Sequence, residues 1–116
     1  MRKIEHIGIA VANLEESNKL YEALLGVPPY KQEVIESEQV ITSFFRNGPE
    51  KIELVAPTNK NSVIAKFIEK KGPGLHHIAF DVPDIFAEMD RLKKLGFRLI
   101  NEKPKKGADN KLICFL

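Results

Sequence analysis

Cysteine is almost absent from this chain, which has a single thiol, Cys114, among its 116 residues. One cysteine cannot form a disulfide within the chain, and such sparing use agrees with a reducing compartment. No apolar run approaches the roughly 20 residues needed to span a bilayer, and the first residues do not form an apolar signal segment. We therefore expect a cytoplasmic protein with no membrane partner.

Net charge is also small, at +2, but the basic residues are concentrated in one stretch. Residues 91–111 contain eight basic and two acidic side chains, which is a local net charge of +6. The stretch lacks the regular interleaving of aromatic and basic residues that single-strand binding surfaces use, so nucleic acid is not expected. We expect either a solvated surface or a site for an anionic ligand.

A motif near the start of the chain returns 71 residues later, so the sequence contains an internal repeat. Residues 6–14 (HIGIAVANL) match residues 77–85 (HIAFDVPDI), which places His6 opposite His77 and Asn13 opposite Asp84. Each copy begins with the alternating pattern of a strand and then enters a helix, for which Asn13 and Asp84 are suitable N-caps.

Each copy is expected to contain a strand, a helix and then three strands, which gives an α+β fold of two βαβββ modules in one domain. Module one is predicted over residues 1–58, a linking helix over 62–71 and module two over 74–116. The strands expected after the helices cover residues 29–37, 39–47, 50–56, 97–100 and 111–116, with a polar loop at 101–110. Two such modules would form a curled mixed sheet around a cleft.

The repeat offset also predicts where the second module ends. Residues 41–45 shifted by 71 positions fall on residues 112–116. The counterpart of the strand at 51–56 would therefore follow Leu116. We expect the last strand of module two to be missing from this chain.

His6 and His77 are candidate metal ligands, because they occupy matching positions on the two repeated strands. Strand alternation places Gly8 beside His6 and Ala79 beside His77, and both small residues leave room for an imidazole. His76 would lie on the opposite face, and we expect it to be structural. A lone buried histidine is more often a satisfied core residue than a ligand, but two at symmetric positions favour a metal site.

Glu53 lies in an apolar strand and could add a carboxylate to the two imidazoles. A glutamate in a strand more often points into solvent. As a ligand, however, it would complete a nitrogen and oxygen set suited to cobalt, manganese, nickel or zinc. The repeat places a fourth ligand, the counterpart of Glu53, after Leu116.

Five segments carry a family likeness, in order and at natural spacing: HIGIAV at 6–11, KIELVAP at 51–57, SVIAKF at 62–67, GLHHIAF at 74–80 and EKPKKG at 102–107. Together they resemble the methylmalonyl-CoA epimerases of the vicinal-oxygen-chelate, or glyoxalase, superfamily. The resemblance implies the glyoxalase/bleomycin-resistance/dioxygenase fold and a homodimer. It also implies that His6, Glu53 and His77 bind a divalent metal, with Co²⁺ as the expected ion and Mn²⁺, Ni²⁺ or Zn²⁺ as alternatives.

The implied activity is that of an isomerase of propionate metabolism, which inverts C2 of methylmalonyl-CoA through a metal-stabilised enolate. Glu53 is the candidate catalytic residue. Certain family members have a glutamate, proposed as an acid/base, where this chain has Thr42, so a second proton-transfer residue is unassigned. Lys105 and Lys106 are expected to bind the phosphates of the coenzyme A thioester.

Two other functions are open on the same fold. A glyoxalase-like lyase or isomerase would use similar enolate chemistry and the same ligand set. A non-catalytic small-molecule-binding protein would need no metal, and the symmetric pair of His6 and His77 counts against it.

Overall fold

The computed structural model describes residues 3–116, apart from the side chain of Asn47. These residues form two compact units, Lys3–Phe80 and Asp81–Leu116. No helix described in residues 3–116 has the length and apolar content needed to cross a membrane.

The first unit contains most of the regular structure. Its elements are β1 (Lys3–Ala10), α1 (Leu14–Leu25), β2 (Lys31–Ile35), β3 (Val40–Asn47), β4 (Glu50–Pro57), α2 (Val63–Lys71) and β5 (Gly74–Asp81, whose last residue belongs to the second unit). Both helices begin at a side-chain cap: Asn13 accepts from the backbone N–H of Glu16, and Ser62 from that of Ala65. Gly26 ends α1 in the left-handed conformation that glycine adopts at no steric cost.

Five strands form one mixed sheet in the order β2-β3-β4-β1-β5. β1 runs parallel to β4, and β3 runs antiparallel to both β2 and β4. The predicted α+β fold with a mixed sheet is confirmed. The two strands of the repeated motif, β1 and β5, are neighbours, and β4 lies on the other side of β1. The boundaries of the two modules stay predictions.

The two faces of this sheet pack against different helices. One face buries Val11, Phe45, Leu54 and Ala56 against Leu14, Tyr21 and Leu25 of α1. The other face buries Ala10, Val40 and Val55 against Ile64, Phe67 and Ile68 of α2. By alternation, His6 shares a face with Ala10, and Glu53 shares a face with Val55. Helix α2 therefore packs on the face that also carries candidate ligands.

The second unit contains one helix and two short strands. These are α3 (Ile85–Lys94), β6 (Lys105–Lys106) and β7 (Leu112–Ile113). Asp84 caps α3 as predicted, because its carboxylate accepts from the backbone N–H groups of Phe86 and Ala87. The two strands pair antiparallel, with Lys105 opposite Ile113 and Lys106 opposite Leu112.

Two strand predictions in this unit are wrong. Residues 97–100 form no strand, and the strand predicted over 111–116 is only Leu112–Ile113. An apolar run becomes a strand only where a partner supplies a ladder of backbone hydrogen bonds. Here the Ile100 N–H donates to the Phe115 carbonyl at 2.8 Å, but the Phe115 N–H donates to the side-chain Oδ1 of Asn101, also at 2.8 Å. The side chain of Asn101 thus takes the place of the backbone acceptor that would continue the strand pairing.

The loop predicted over residues 101–110 is also partly wrong. It contains β6 and a single 3₁₀ turn, Ala108–Asn110. The polar side chains of Lys105 and Lys106 predict a loop, yet the two residues pair with β7 as a strand. Backbone pairing with a neighbouring strand therefore decides the structure of this segment, although its composition is polar.

Candidate metal centre

Three neighbouring strands each carry one candidate ligand: Glu53 on β4, His6 on β1 and His77 on β5. In the parallel register of β1 and β4, Gly8 lies opposite Glu53. Residues two apart on a strand share a face, so the side chains of His6 and Glu53 are on the same side of the sheet. The strand order therefore brings together residues that are up to 71 positions apart in the chain.

The three side chains converge on one point. Nε2 of His6 lies 3.0 Å from Nε2 of His77. Oε1 of Glu53 lies 3.3 Å from each of these nitrogens. Glu53 is buried and both imidazoles are half-buried. Within residues 3–116 this is the one cluster of three or more such side chains close enough to share a metal ion.

The spacing of these atoms fits a bound cation. A metal about 2.0–2.2 Å from each nitrogen and oxygen ligand holds neighbouring ligand atoms roughly 3 Å apart. Two imidazole nitrogens and one carboxylate oxygen also suit borderline divalent cations. Three lone pairs directed at one point repel one another unless a proton or a cation lies between them. The residues predicted as ligands therefore fit a metal ion both in chemistry and in spacing.

Glycine at position 8 makes room for the imidazole of His77. A Cβ atom built on Gly8 would overlap with Cε1, Nδ1 and Nε2 of that ring. Any side chain at this position would therefore force the His77 ring or the β1 backbone to shift. The sequence predicts room for His6 beside Gly8, whereas the structure shows that Gly8 makes room for the ring of the other copy, His77.

The charge of Glu53 is stabilised by the two imidazoles. Burial alone would raise the pKa of Glu53, but hydrogen bonds and electrostatic attraction from His6 and His77 outweigh it and lower the pKa to about 2. Burial likewise opposes charge on His6, yet the carboxylates of Glu53 and Glu5 raise its pKa above the usual value. A carboxylate that stays ionised so readily is well suited to bind a cation and is a weak proton acceptor.

Glu5 and Lys51 lie next to this centre, and the sequence analysis did not identify them. Alternation along β1 predicts Glu5 on the face opposite His6, yet its Oε1 lies 2.9 Å from His6 Nδ1. Its Oε2 lies 2.8 Å from Nζ of Lys51, which is only 8% exposed. Burial would raise the pKa of Glu5, but Lys51 and His6 together lower it. The available signal was Lys51 itself, a charged residue on the same face of β4 as Glu53.

His76 lies outside the ligand cluster, as predicted, but it contacts a ligand. Its Nδ1 lies 2.9 Å from Nδ1 of His77. Its ring stands edge-on to Phe67 of α2, with ring centroids 4.8 Å apart. Burial and repulsion from His77 lower the pKa of His76. This histidine is therefore held in place by the core on one side and faces His77 on the other.

The remaining residues singled out from the sequence are not among the three clustered side chains, although Thr42 lies opposite Val55 and so on the same face of the sheet as Glu53. Thr42 is buried in β3, where its hydroxyl donates to the backbone carbonyl of Glu33 at 3.5 Å. Lys105 and Lys106 form β6 in the second unit. Nζ of Lys105 lies 5.6 Å from the ring centroid of Phe115, and Lys106 is exposed.

Comparison with known proteins shows the family of the chain. Residues 5–115 match the Glyoxalase/Bleomycin resistance protein/Dioxygenase superfamily. The chain is 37% identical to the ethylmalonyl-CoA/methylmalonyl-CoA epimerase of Cereibacter sphaeroides, over 98% of this chain and 87% of that protein. It superposes on the methylmalonyl-CoA epimerase of Mycobacterium tuberculosis with a TM-score of 0.92 and 34% identity, covering 97% of this chain and 76% of the other.

The chain is also similar to an epimerase that was solved with a bound coenzyme A ester. A variant of the Streptomyces coelicolor methylmalonyl-CoA epimerase bound to 2-nitronate-propionyl-CoA superposes with a TM-score of 0.91 and 29% identity, covering 97% of this chain and 85% of that one. The chain belongs to the Glyoxalase/Bleomycin resistance protein/Dioxygenase superfamily. Within that class, the predicted resemblance to the methylmalonyl-CoA epimerases is confirmed.

Proposed function

We propose that this protein is a metal-dependent epimerase that interconverts the R and S forms of methylmalonyl-CoA at C2. The observation that carries the proposal is the convergence of His6, Glu53 and His77, in a chain similar over its whole length to enzymes of that name. A homodimer and a cytoplasmic location are part of the proposal and rest on the sequence.

The reaction removes a hydrogen that lies between a carboxylate and a thioester carbonyl. Loss of this proton spreads negative charge over the oxygens of both groups. A divalent cation, when bound, supplies Lewis-acid polarisation of those oxygens. His6 and His77 would hold it through Nε2 and Glu53 through Oε1, which leaves further coordination positions for the substrate. We propose Co²⁺ as the ion, with Mn²⁺, Ni²⁺ and Zn²⁺ as alternatives.

Inversion at C2 needs a proton to leave one face of the carbon and another to arrive on the opposite face. The pKa of Glu53, about 2, makes it a better ligand than base. We therefore propose Glu53 first as a ligand, and its acid/base role stays a prediction. The hydroxyl of Thr42 donates to a backbone carbonyl and is a poor proton-transfer group at neutral pH, so the second acid/base residue is unassigned.

We further propose that Lys105 and Lys106 bind phosphate groups of coenzyme A. The support is the net charge of +6 over residues 91–111, which favours an anionic ligand. Lysine binds phosphate as a point charge without a fixed geometry.

Deuterium uptake tests the proposed reaction. Protein stripped of metal by a chelator and reloaded with Co²⁺ should exchange the C2 proton of methylmalonyl-CoA with solvent deuterium, as followed by proton NMR. Stripped protein should not. Glu53→Ala should lose the exchange, whereas Glu15→Ala should keep it, because Glu15 is an exposed residue of α1 paired with Lys19.

The same preparations separate the rival functions. Turnover of the hemithioacetal of methylglyoxal and glutathione, without exchange at C2 of methylmalonyl-CoA, would replace the proposal with a glyoxalase-like isomerase. Ligand binding that is unaffected by chelation, with no turnover of either compound, would replace it with a small-molecule-binding protein.

A further inference from the structure

Each candidate imidazole ligand is contacted at Nδ1 by the residue that precedes it in the chain. Glu5 Oε1 lies 2.9 Å from Nδ1 of His6, and His76 Nδ1 lies 2.9 Å from Nδ1 of His77. The repeat offset of 71 relates Glu5 to His76 just as it relates His6 to His77. The repeat therefore carries a ligand and its supporting residue as a pair.

We propose that Glu5 and His76 are positioning residues that fix the tautomer of His6 and His77, so that both rings present a proton-free Nε2 to the metal. Lys51 completes the arrangement by holding Glu5 in place. The inference rests on the proposed metal centre and assigns a role to three residues outside it. None of the three needs to touch the substrate or the metal.

The contact with Glu5 determines the tautomer of His6. An ionised carboxylate only accepts hydrogen bonds, so Nδ1 of His6 must carry the proton. In a neutral imidazole the lone pair then lies on Nε2, which is the atom directed at Glu53 and His77. A carboxylate behind a ligating histidine also makes the ring a stronger ligand.

Lys51 fixes the carboxylate of Glu5. Its ammonium group lies 2.8 Å from Oε2, while Oε1 is directed at His6, so the two oxygens have separate partners. In the register of β1 and β4, Lys51 lies directly opposite His6. A buried ammonium group needs a counter-charge, and Glu5 supplies it.

The contact with His76 is of a different kind. Two imidazole nitrogens facing each other require one donor and one acceptor. If Nε2 of His77 binds the metal, Nδ1 of His77 donates and Nδ1 of His76 accepts. The edge-on contact with Phe67 holds the ring of His76 in this orientation. The support for His77 is thus neutral, and we expect it to strengthen the ligand less than the carboxylate of Glu5 does.

Metal affinity tests the proposal without measuring turnover. Zn²⁺ binding to the full chain is followed by competition with a chromophoric chelator. Replacing a residue that supports a ligand typically costs about 10–100-fold in metal affinity. We expect a loss in that range for Glu5→Leu combined with Lys51→Met, a smaller loss for Glu5→Gln, and the smallest for His76→Phe. Glu15→Gln, the same chemical change on exposed α1, should have no effect.

The double variant removes both charges, so that no buried ammonium group is left unpaired. If the double variant fails to fold, Glu5→Gln combined with Lys51→Met decides the question, because it removes both charges and keeps the shape of Glu5 and an acceptor oxygen. The tautomer is read by NMR of the ¹⁵N-labelled, Zn²⁺-loaded protein. The wild type should show slowly exchanging Nδ1 protons on His6 and His77. The His6 signal should exchange faster in the Glu5 variants, and the His77 signal in His76→Phe.

Two kinds of failure can be told apart. If Zn²⁺ binds and Glu53→Gln weakens it, but affinity and Nδ1 exchange are unchanged in every Glu5 and His76 variant, the positioning role is wrong and the metal centre stands. If the wild type binds no Zn²⁺, Mn²⁺ or Co²⁺, both the metal centre and this inference are wrong.

Discussion

The two copies of the repeat place an imidazole at the same position but support it differently. His6 is held by the carboxylate of Glu5, which is itself paired with buried Lys51. His77 is held by the neutral ring of His76, which packs against Phe67. Internal symmetry therefore positions the two candidate ligands, while their electronic environments are set by neighbours that differ between the copies.

The space around each ring differs as well. The imidazole of His77 lies against Gly8, where any Cβ atom would overlap it. The residue that the repeat relates to Gly8 is Ala79, which does carry a Cβ atom. The first copy thus supplies the charged residue that contacts its own imidazole, Glu5. It also supplies Gly8, which leaves space for the imidazole of the second copy, His77. The two halves of the centre are complementary rather than equivalent.

The largest expected effect comes from removing a ligand. His6→Ala and His77→Ala should each reduce Co²⁺ affinity by more than about 100-fold, because loss of a ligand exceeds the cost of losing its support. His6→Ala should be the worse of the two, since the carboxylate makes His6 the stronger ligand. Isothermal titration of both variants measures the difference. Equal losses of less than tenfold would mean that neither ring binds the ion.

A smaller effect is expected from breaking the pair of Lys51 and Glu5. Lys51→Met leaves the half-buried carboxylate of Glu5 without this cation and should lower the free energy of unfolding by about 2 kcal/mol, less than for a fully buried pair. Lys94→Met, which breaks a surface pair with Asp90, is the control and should cost less than about 1 kcal/mol. Urea unfolding gives both values. A loss of unfolding free energy no greater than that of the control would mean that Lys51 does not hold Glu5 in place.

Gly8→Ala tests whether the two copies need different amounts of space around the imidazoles. The added methyl group must displace the His77 ring or the β1 backbone, so we expect a loss of about 1–2 kcal/mol in the free energy of unfolding and weaker Co²⁺ binding. Ala79→Gly makes the opposite change in the other copy and should leave Co²⁺ affinity unaltered. Thermal unfolding and titration of the pair test this. Unchanged metal binding in Gly8→Ala would show that glycine at position 8 is not needed to place the ring of His77.

The smallest effect concerns the basic strand of the second unit. Replacing Lys105 and Lys106 by alanine should weaken the binding of a coenzyme A ester by roughly 5–10-fold, since point charges on a surface attract phosphates only modestly. Co²⁺ affinity should not change, because the metal residues all lie in the first unit. Equilibrium binding of propionyl-CoA and of Co²⁺ to the same variant separates the two. A parallel loss of both would make the lysines structural.

The candidate ligands could be picked out from the sequence, whereas the residues that contact them could not. His6 and His77 are visible because a repeat marks matching positions, and Glu53 because an acid interrupts an apolar strand. Glu5 and His76 were assigned to the opposite face by strand alternation, which describes where Cβ atoms point but not where a flexible or twisted side chain ends. Lys51 was missed because lysine is seldom buried unless it is paired.

Strands were predictable in the first unit and not in the second. In the first, β1, β3 and β4 each have paired neighbours, so an alternating apolar pattern and a hydrogen-bonded ladder coincide. Around residues 97–116 the apolar pattern is similar, but Asn101 caps the Phe115 N–H with its side chain and the ladder stops. Composition predicts which segments could be strands, and the available partner decides which of them form.

Diffraction from crystals grown with one equivalent of Co²⁺, recorded at the cobalt absorption edge, would show whether the three side chains bind one ion. We predict one anomalous peak per chain, about 2.0–2.2 Å from Nε2 of His6, Nε2 of His77 and Oε1 of Glu53. A peak bound by other residues, or full cobalt content with no peak at this point, would contradict this prediction.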